Sequence, residues 1–175
     1  LDACALDTVL VLVALKASGT GAQDVLAIGT NASGGDSVHL SYDAGTGAVT
    51  TTYRDSGGGT HTVAGGTVAL DAVVVVAMEV VFGSGTGTVG CAVNAGAITR
   101  ETDAVTASDV TLTTLVLGGQ YSAQTTGTSD ALLLGAVVIE GEAYSVALAT
   151  EFLESVGGTV PSTPPPTGLF RWWNA

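Results

Sequence analysis

The sequence predicts an all-β protein, built as an antiparallel β-sandwich with one short C-terminal helix and an extended tail. The 175 residues include 25 glycines, which is many for a helical protein and typical of short strands joined by tight turns. Apolar runs rich in β-branched residues recur with turn signals roughly every 8–12 residues, as in sandwiches and jelly rolls. Only one segment has the apolar spacing of an amphipathic helix.

Five strands are predicted in the first half of the chain. The run TVLVLVALK is apolar and rich in β-branched residues, which is typical of a strand buried on both faces. In SVHLSYD, the apolar Val38, Leu40 and Tyr42 alternate with polar residues, which predicts a half-buried strand with His39 on its polar face. The turn AGTG then leads into the next strand and forms a hairpin. The five strands span residues 8–16, 24–29, 37–43, 48–54 and 60–70.

The second half adds four strands and the helix. Residues 72–82 are the most apolar of these strands and are expected at the centre of a sheet. The spacing of Leu148 and Phe152 predicts a helix over residues 145–156, which Ser145 caps at its start and two glycines end. The four strands span residues 72–82, 88–93, 110–117 and 132–140.

The chain is expected to divide into two parts. Residues 1–158 hold the predicted strands and the helix, and they have the size of one domain with its own core. Residues 159–175 contain a polyproline-type linker, VPSTPPPTG, and an aromatic tail, LFRWWNA.

The charge of the chain argues against two classes of partner. Four Lys and Arg residues against 16 Asp and Glu residues give a net charge of -12. Such a chain repels nucleic-acid phosphates and anionic membranes, but it is compatible with cations and with a basic protein partner. No apolar run reaches the roughly 18 residues of a membrane-spanning helix. Cys4 and Cys91 are interpreted as buried free thiols, with a single disulfide between them as the alternative.

The last third of the chain resembles a known fold family. A strand that ends in Leu117-Gly118-Gly119 is followed by a loop, by a strand with the central Gly135, and by the helical pattern SVALATEFL. This order is similar to the C-terminal part of concanavalin A-like jelly rolls of the laminin-G and pentraxin type. Upstream, SVHLSYDAGTGAVT and AVVVVAMEVVFGSGTGTVGCAVNAG are similar to hairpins of the same domains, so the resemblance covers most of residues 3–158.

The resemblance implies a jelly roll that binds sugars or protein surfaces, in some members through calcium. Such domains also occur as modules of bacterial surface proteins and of bacteriophage particles. Some relatives are glycosidases, which carry a Glu-x-Asp-x-Glu motif on a strand.

Two carboxylates are the candidates for catalysis. Glu140 and Glu142 are two residues apart at the end of a predicted strand, which would place both on one face, about 6–7 Å apart. A retaining glycosidase needs two carboxyl groups about 5–5.5 Å apart. Because only Glu-Gly-Glu is present, we interpret this segment as a solvated strand end and predict no enzyme activity.

Acidic and amide side chains are spread over the predicted turns and loops. Their oxygens are the ligands that calcium prefers, and such side chains can converge from separate loops. Since no contiguous calcium-binding loop is present, no cofactor is predicted, and a calcium ion is the alternative. The side chains are Asp36, Asp43, Asp55, Asp103, Asp109, Asp130, Asn31 and Asn94.

The remaining motifs are given structural interpretations. Residues 85–90 fit GxGxxG, but no helix follows them, so they are predicted to form a hairpin turn. His39 and His61 are isolated and are not predicted to bind a metal. Asn31 begins a glycosylation sequon, which matters only in a eukaryotic secretory chain.

Five residues of the tail are the predicted binding segment. Leu169, Phe170, Arg171, Trp172 and Trp173 follow the proline-rich linker and include both tryptophans of the chain. Their apolar side chains cannot form a core alone, and exposed they would promote aggregation. Because Trp and Arg dominate interface hot spots, we predict an arm that docks into a neighbouring subunit. The alternative is an arm that folds back onto an open sheet edge of its own sandwich.

These observations favour a non-enzymatic structural or adhesive module of a larger assembly. Its partners would be other subunits or further copies of itself. By the resemblance, the setting is the surface of a bacteriophage virion, as a capsid decoration or a tail-associated protein. The first alternative is a carbohydrate-binding, lectin-like domain of a secreted or cell-surface protein, with or without calcium. The second alternative is a glycoside hydrolase that uses Glu140 and Glu142.

Overall fold

A computed structural model describes residues 8–29, 37–54, 59–81, 87–105, 114–118, 130–156 and 171–173. Within these ranges the chain forms two antiparallel sheets and a short helix. The elements are β1 (Thr8–Lys16), β2 (Ala22–Gly29), β3 (Ser37–Asp43), β4 (Ala48–Arg54), β5 (Thr60–Thr67), β6 (Val73–Val81), β7 (Gly87–Val93), β8 (Thr99–Val105), β9 (Thr114–Leu117), β10 (Leu132–Glu140), α1 (Val146–Val156) and β11 (Arg171–Trp173).

The two sheets pack face to face as a sandwich. One sheet has six strands in the order β11-β10-β1-β6-β7-β8, and the other has five in the order β5-β4-β3-β2-β9. Neighbouring strands are antiparallel throughout the described residues. The predicted all-β jelly-roll sandwich with one short helix is therefore confirmed.

Two apolar clusters lie on opposite faces of the six-stranded sheet. The larger one fills the space between the sheets and includes Val11, Leu40 and Met78. The smaller one includes Leu12 and Phe152 and lies between the six-stranded sheet and α1. Because successive strand residues point to opposite faces, β1 and β6 contribute to both clusters, and this explains their continuous apolar runs.

Most strands lie where the sequence predicts them. β1, β3, β4 and β10 have the predicted bounds, and β6 lies inside its sheet, between β1 and β7. The strand predicted over residues 60–70 ends at Thr67, because the Val68 N–H donates to the Gly47 carbonyl of the neighbouring turn instead (2.8 Å). The first part of the strand predicted over residues 110–117 and the predicted domain boundary at residue 158 lie outside the described residues.

The predictions missed β8. Its sequence, TRETDAV, is mostly polar and charged and does not read as a buried strand. In the structure β8 is an edge strand that pairs with β7 alone, so one of its sides needs no strand partner.

α1 begins and ends close to its predicted bounds. The Ser145 hydroxyl accepts a hydrogen bond from the Leu148 N–H (3.2 Å), which confirms Ser145 as the N-cap. Ala149 and Phe152 are the buried residues of the helix, and they join the cluster on the outer face of the six-stranded sheet.

Candidate functional site

The outer face of the five-stranded sheet carries polar side chains from four adjacent strands, β2 to β5. In β3 and β4, apolar and polar residues alternate, so the apolar ones enter the core and the polar ones point away from it. Cross-strand pairing arranges the outward residues in rows. We call this surface the polar face, and it consists of Asp24, Ser37, His39, Ser41, Thr50, Thr52, Arg54, Thr60 and Thr62.

Exposure on the polar face increases from β2 towards β5. One row runs from Ala27 through His39 and Thr52 to Thr62. Ala27 is fully buried and His39 is 7% exposed, whereas Thr52 is half-buried and Thr62 is exposed. A ligand from solvent therefore meets the β4 and β5 side chains first.

His39 lies on the side of β3 away from the core, as the alternation of the strand predicts, and it is buried there. Its Nε2 lies 2.9 Å from the Ser37 hydroxyl, while its Nδ1 is buried and has no hydrogen-bond partner among the described residues. Burial lowers the pKa of His39 below its ordinary value, the nearby Asp24 opposes this shift, and Arg54 adds to it. The ring is accordingly neutral at pH 7.

In the more exposed part of the polar face, hydroxyl groups of neighbouring strands are hydrogen-bonded in pairs. The Ser41 and Thr50 hydroxyls lie 3.0 Å apart, and those of Thr52 and Thr62 lie 3.1 Å apart. Each hydroxyl can still donate or accept a further hydrogen bond. Arg54 shares a row with Ser37 and Thr60, and it brings a positive charge to the same surface.

The structure does not support the predicted carboxylate pair. β10 ends at Glu140, and Gly141 has a φ of 79°, so Glu142 does not continue the strand. The assumption that both carboxylates share one strand face is therefore wrong. Both residues are exposed, which agrees with the interpretation of this segment as a solvated strand end.

The candidate calcium ligands that the structure describes have other roles. The Asp43 carboxylate accepts hydrogen bonds from the Thr46 N–H (2.8 Å) and hydroxyl (3.0 Å) in the β3–β4 turn, and these bonds lower the pKa of Asp43. The Asn94 amide oxygen accepts a bond from the Val75 N–H (3.1 Å). Asp103 lies in β8 rather than in a loop.

No calcium site is apparent in the part of the chain that the structure describes. There, no three His, Cys, Asp or Glu side chains come together in a way that could hold a metal ion. The Asp130 backbone, rather than its carboxylate, bonds Gln23 (2.7 Å) and the Ser18 hydroxyl. Asp36, Asp55, Asp109 and Asn31 lie outside the described residues.

The remaining sequence motifs have structural roles. Residues 87–90 of the glycine motif lie in β7, which pairs with β6 as the predicted hairpin requires, and residues 85 and 86 lie outside the described residues. His61 of β5 contacts Glu101 of β8 across the two sheets, with Nδ1 and Oε1 3.4 Å apart. Cys91 is buried as a free thiol, its pKa raised by burial, and Cys4 lies outside the described residues.

Glu79 is a buried charge that the sequence analysis missed. Its carboxylate is 0% exposed and accepts two hydrogen bonds from Arg100, at 2.6 Å and 3.1 Å, and one from the Tyr144 N–H, at 2.5 Å. Gly90 lies between Glu79 and Arg100 in the same cross-strand row, and a Cβ built on it would lie 2.6 Å from Cδ1 of Ile98 and 3.4 Å from Cγ of Arg100. The signal was the single acidic residue inside the apolar run of β6.

The end of the predicted arm is a strand of the sandwich. Arg171–Trp173 form β11, which pairs antiparallel with β10, opposite Ala136, Val137 and Val138. This pairing is the one that the fold-back alternative describes. Leu169 and Phe170 lie outside the described residues.

Comparisons with known proteins identify the fold. Neither a family model nor a curated protein sequence matches the chain. Among solved structures, it is similar to a heptameric pentraxin from Limulus polyphemus, with a TM-score of 0.60, 10% identity, and 97% of this chain and 81% of that chain covered. It is also similar to the CBM40 domain of a Ruminococcus gnavus IT-sialidase bound to α2,3-sialyllactose, with a TM-score of 0.61, 15% identity, and 85% and 84% covered.

A third similar structure is a pair of laminin domains, LG4-5 of the mouse α1 chain, with a TM-score of 0.56 and 17% identity, covering 78% of this chain and 36% of that chain.

No helix of the described residues is long and apolar enough to cross a membrane. Each of these three likenesses covers 78% or more of this chain. The chain has the fold of the concanavalin A-like jelly rolls, as its resemblance to laminin-G and pentraxin domains implied.

Proposed function

We propose that this chain is a non-catalytic carbohydrate-binding module, and that a glycan binds the polar face of the five-stranded sheet. The observation that carries the proposal is the array of hydroxyls and one guanidinium on β4 and β5, on the side of the sheet opposite the core. Sugar hydroxyls both donate and accept hydrogen bonds, and such an array offers both. The likeness to a sialidase CBM40 bound to sialyllactose supports this class of ligand.

The charge of the chain favours a neutral glycan over an anionic one. Arg54 is the basic side chain of the polar face, Asp24 is acidic, and the whole chain carries a net charge of -12. An anionic glycan would therefore approach against the field of the protein. The tyrosines of β3 and β4, Tyr42 and Tyr53, point into the core, so hydrogen bonds rather than stacking on these rings would hold the sugar.

A glycan array that holds neutral and sialylated glycans tests the proposal, followed by calorimetry on the best ligand. We expect binding to neutral glycans, and about a tenfold lower affinity for R54A, because a hydrogen bond from a charged group contributes about 1.5 kcal/mol or more. K16A is the matched control, since Lys16 has the same charge but lies in the other sheet beside Asp71. The absence of binding to every glycan, or equal losses in R54A and K16A, would refute the proposal.

A structural or adhesive role in a larger assembly is the second candidate, with a virion surface as one setting and an extracellular or cell surface as the other. The observation that favours it is β11, which uses the aromatic tail to extend a sheet at its edge. An edge strand is where a sheet accepts a strand from another chain.

A further inference from the structure

We propose that the ligand of the polar face is a linear neutral glycan chain of three or more units, and that it lies lengthwise along β4 and β5. This inference rests on the proposed function and deepens it, because it names the form of the glycan and the direction in which it binds. It is carried by the shape of the exposed part of the polar face.

The polar face is exposed mainly over β4 and β5. On β3, Ser37 and His39 are each only 7% exposed, and Ser41 is half-buried. On the other side, β5 is the edge strand of its sheet, and no further strand of the described residues pairs with it. The exposed part is therefore a strip two strands wide, covered along β3 and open to solvent along β5. We call it the strip, and it consists of Thr50, Thr52, Arg54, Thr60, Thr62 and Ala64.

Strand pairing divides the strip into three rows, each with one side chain from β4 and one from β5. The rows are Arg54–Thr60, Thr52–Thr62 and Thr50–Ala64. Because the first and third rows are four residues apart along β4, the strip is about 13 Å long, and its width is one strand spacing of about 5 Å. A pyranose ring is about as wide as that spacing, so the strip has the size of a chain of about three sugar units.

The side chains of the strip stand in line and do not converge on one point. A site for a single small ligand is a cleft whose polar groups converge on that ligand. On one face of a strand, by contrast, side chains project in the same direction, and successive rows are about 6.7 Å apart. A single sugar therefore contacts one row, whereas a chain that lies along the strands contacts all three.

The strength of the available hydrogen bonds also requires several units. A neutral hydrogen bond changes an affinity by roughly two- to tenfold. The middle row offers only the hydroxyls of Thr52 and Thr62, which already bond each other at 3.1 Å. The end rows are unequal, since the Arg54 guanidinium carries several donors and the Ala64 side chain has no polar atom. The chain is therefore held most strongly at its Arg54 end, and each further row adds to the affinity.

Calorimetry on one glycan series tests the inference. The series consists of the neutral glycan that binds best on the array and its linear fragments of one to six units. We expect the affinity to rise roughly two- to tenfold with each unit up to three, because each unit fills another row. Between three and six units it should change less than about twofold, since the strip is then full.

T50A tests the direction of binding, because Thr50 lies in the row farthest from Arg54. This variant should lower the affinity for the trisaccharide to about that of the disaccharide. T88A is the matched control, since Thr88 is also a half-buried strand threonine but lies in the six-stranded sheet, and it should leave the whole series unchanged.

Three results would overturn the inference and leave the proposed function standing. They are a single sugar that binds as tightly as the trisaccharide, an affinity that keeps rising to six units, and equal losses of trisaccharide affinity in T50A and T88A. If even the fragment of six units does not bind, the proposed function itself is wrong, and the inference is wrong with it.

Discussion

The neutral His39 ring gives the folded chain a pH dependence of its own. Burial lowers the pKa of His39 in the folded state, whereas in the unfolded chain it has the ordinary value of about 6.5. Below that value the unfolded state binds more protons, so stability rises with pH. The contribution of His39 is complete above about pH 6.5 and is lost as the pH falls through the unfolded pKa towards the lower folded pKa.

We predict that the free energy of unfolding falls as the pH is lowered below about 6.5, by about 1.4 kcal/mol for each unit that separates the two pKa values. H39Q should remove most of this fall, because glutamine keeps a polar side chain without titrating. Urea unfolding at each pH measures it, with H61Q as the control, since His61 is partly exposed and lies in the edge strand β5. If H39Q and the unaltered chain lose stability in parallel, the prediction is wrong.

Residue patterns predict the direction of a side chain better than its surroundings. The alternation in β3 placed His39 on the side away from the core, which is correct, but it could not show that this side is itself covered. Glu79 was missed although it is one acid in an apolar run, and its partner Arg100 is 21 residues away on a strand that was not predicted. Interactions between strands distant in sequence are set by sheet order, which the local pattern does not contain.

At the scale of elements, β5 and β7 approach each other closely at Gly65. A Cβ built on Gly65 would lie 2.4 Å from Sγ of Cys91 and 2.9 Å from its carbonyl carbon. β5 belongs to one sheet and β7 to the other, so this is a point of contact between the sheets where a side chain has no room.

We predict that G65A destabilises the fold by about 1–3 kcal/mol, because an added methyl group in a packed core forces the backbone apart. G45A is the control, since its nearest neighbour would be a side-chain oxygen of Asp43 at 3.2 Å in an exposed turn, and it should cost no more than about 0.5 kcal/mol. The midpoints of urea unfolding measure both. C91A should restore only part of the loss, because the backbone contact remains, and equal stability of G65A and G45A would contradict the prediction.

Strands with a clear apolar or alternating residue pattern were predictable from the sequence, whereas strands that depend on pairing with a particular neighbouring strand were not. β1, β3, β4 and β10 each carry enough apolar or alternating residues to fix their bounds from the sequence. β8 lacks that signal, and β11 becomes a strand only because β10 offers an edge. The polar face was likewise not predicted, since it depends on which strands are neighbours rather than on any one of them.

At the scale of the whole molecule, the net charge of -12 opposes folding through repulsion. Two ion pairs among the described residues, Lys16–Asp71 and Arg100–Glu79, offset a small part of it. Sodium chloride shortens the screening length from about 30 Å at 0.01 M to about 8 Å at 0.15 M. We therefore predict that the melting temperature rises over this range of salt.

Calcium chloride at matched ionic strength is the control for that measurement. In the absence of a specific site, both salts should raise the melting temperature by a similar amount. A clearly larger rise with calcium would show a cation site, and a fall with sodium chloride would contradict the repulsion argument.

The position of β1 has a consequence for how the chain is made. β1 precedes both of its sheet neighbours along the chain, since β6 and β10 end at Val81 and Glu140. During synthesis its apolar run is made before either neighbour exists, and the sheet cannot close around it until β10 has been made. We infer that the sheet folds cooperatively and only after β10 has been made. Until then β1 is an unpaired apolar strand that promotes aggregation, and a chaperone that protects incomplete chains would bind there.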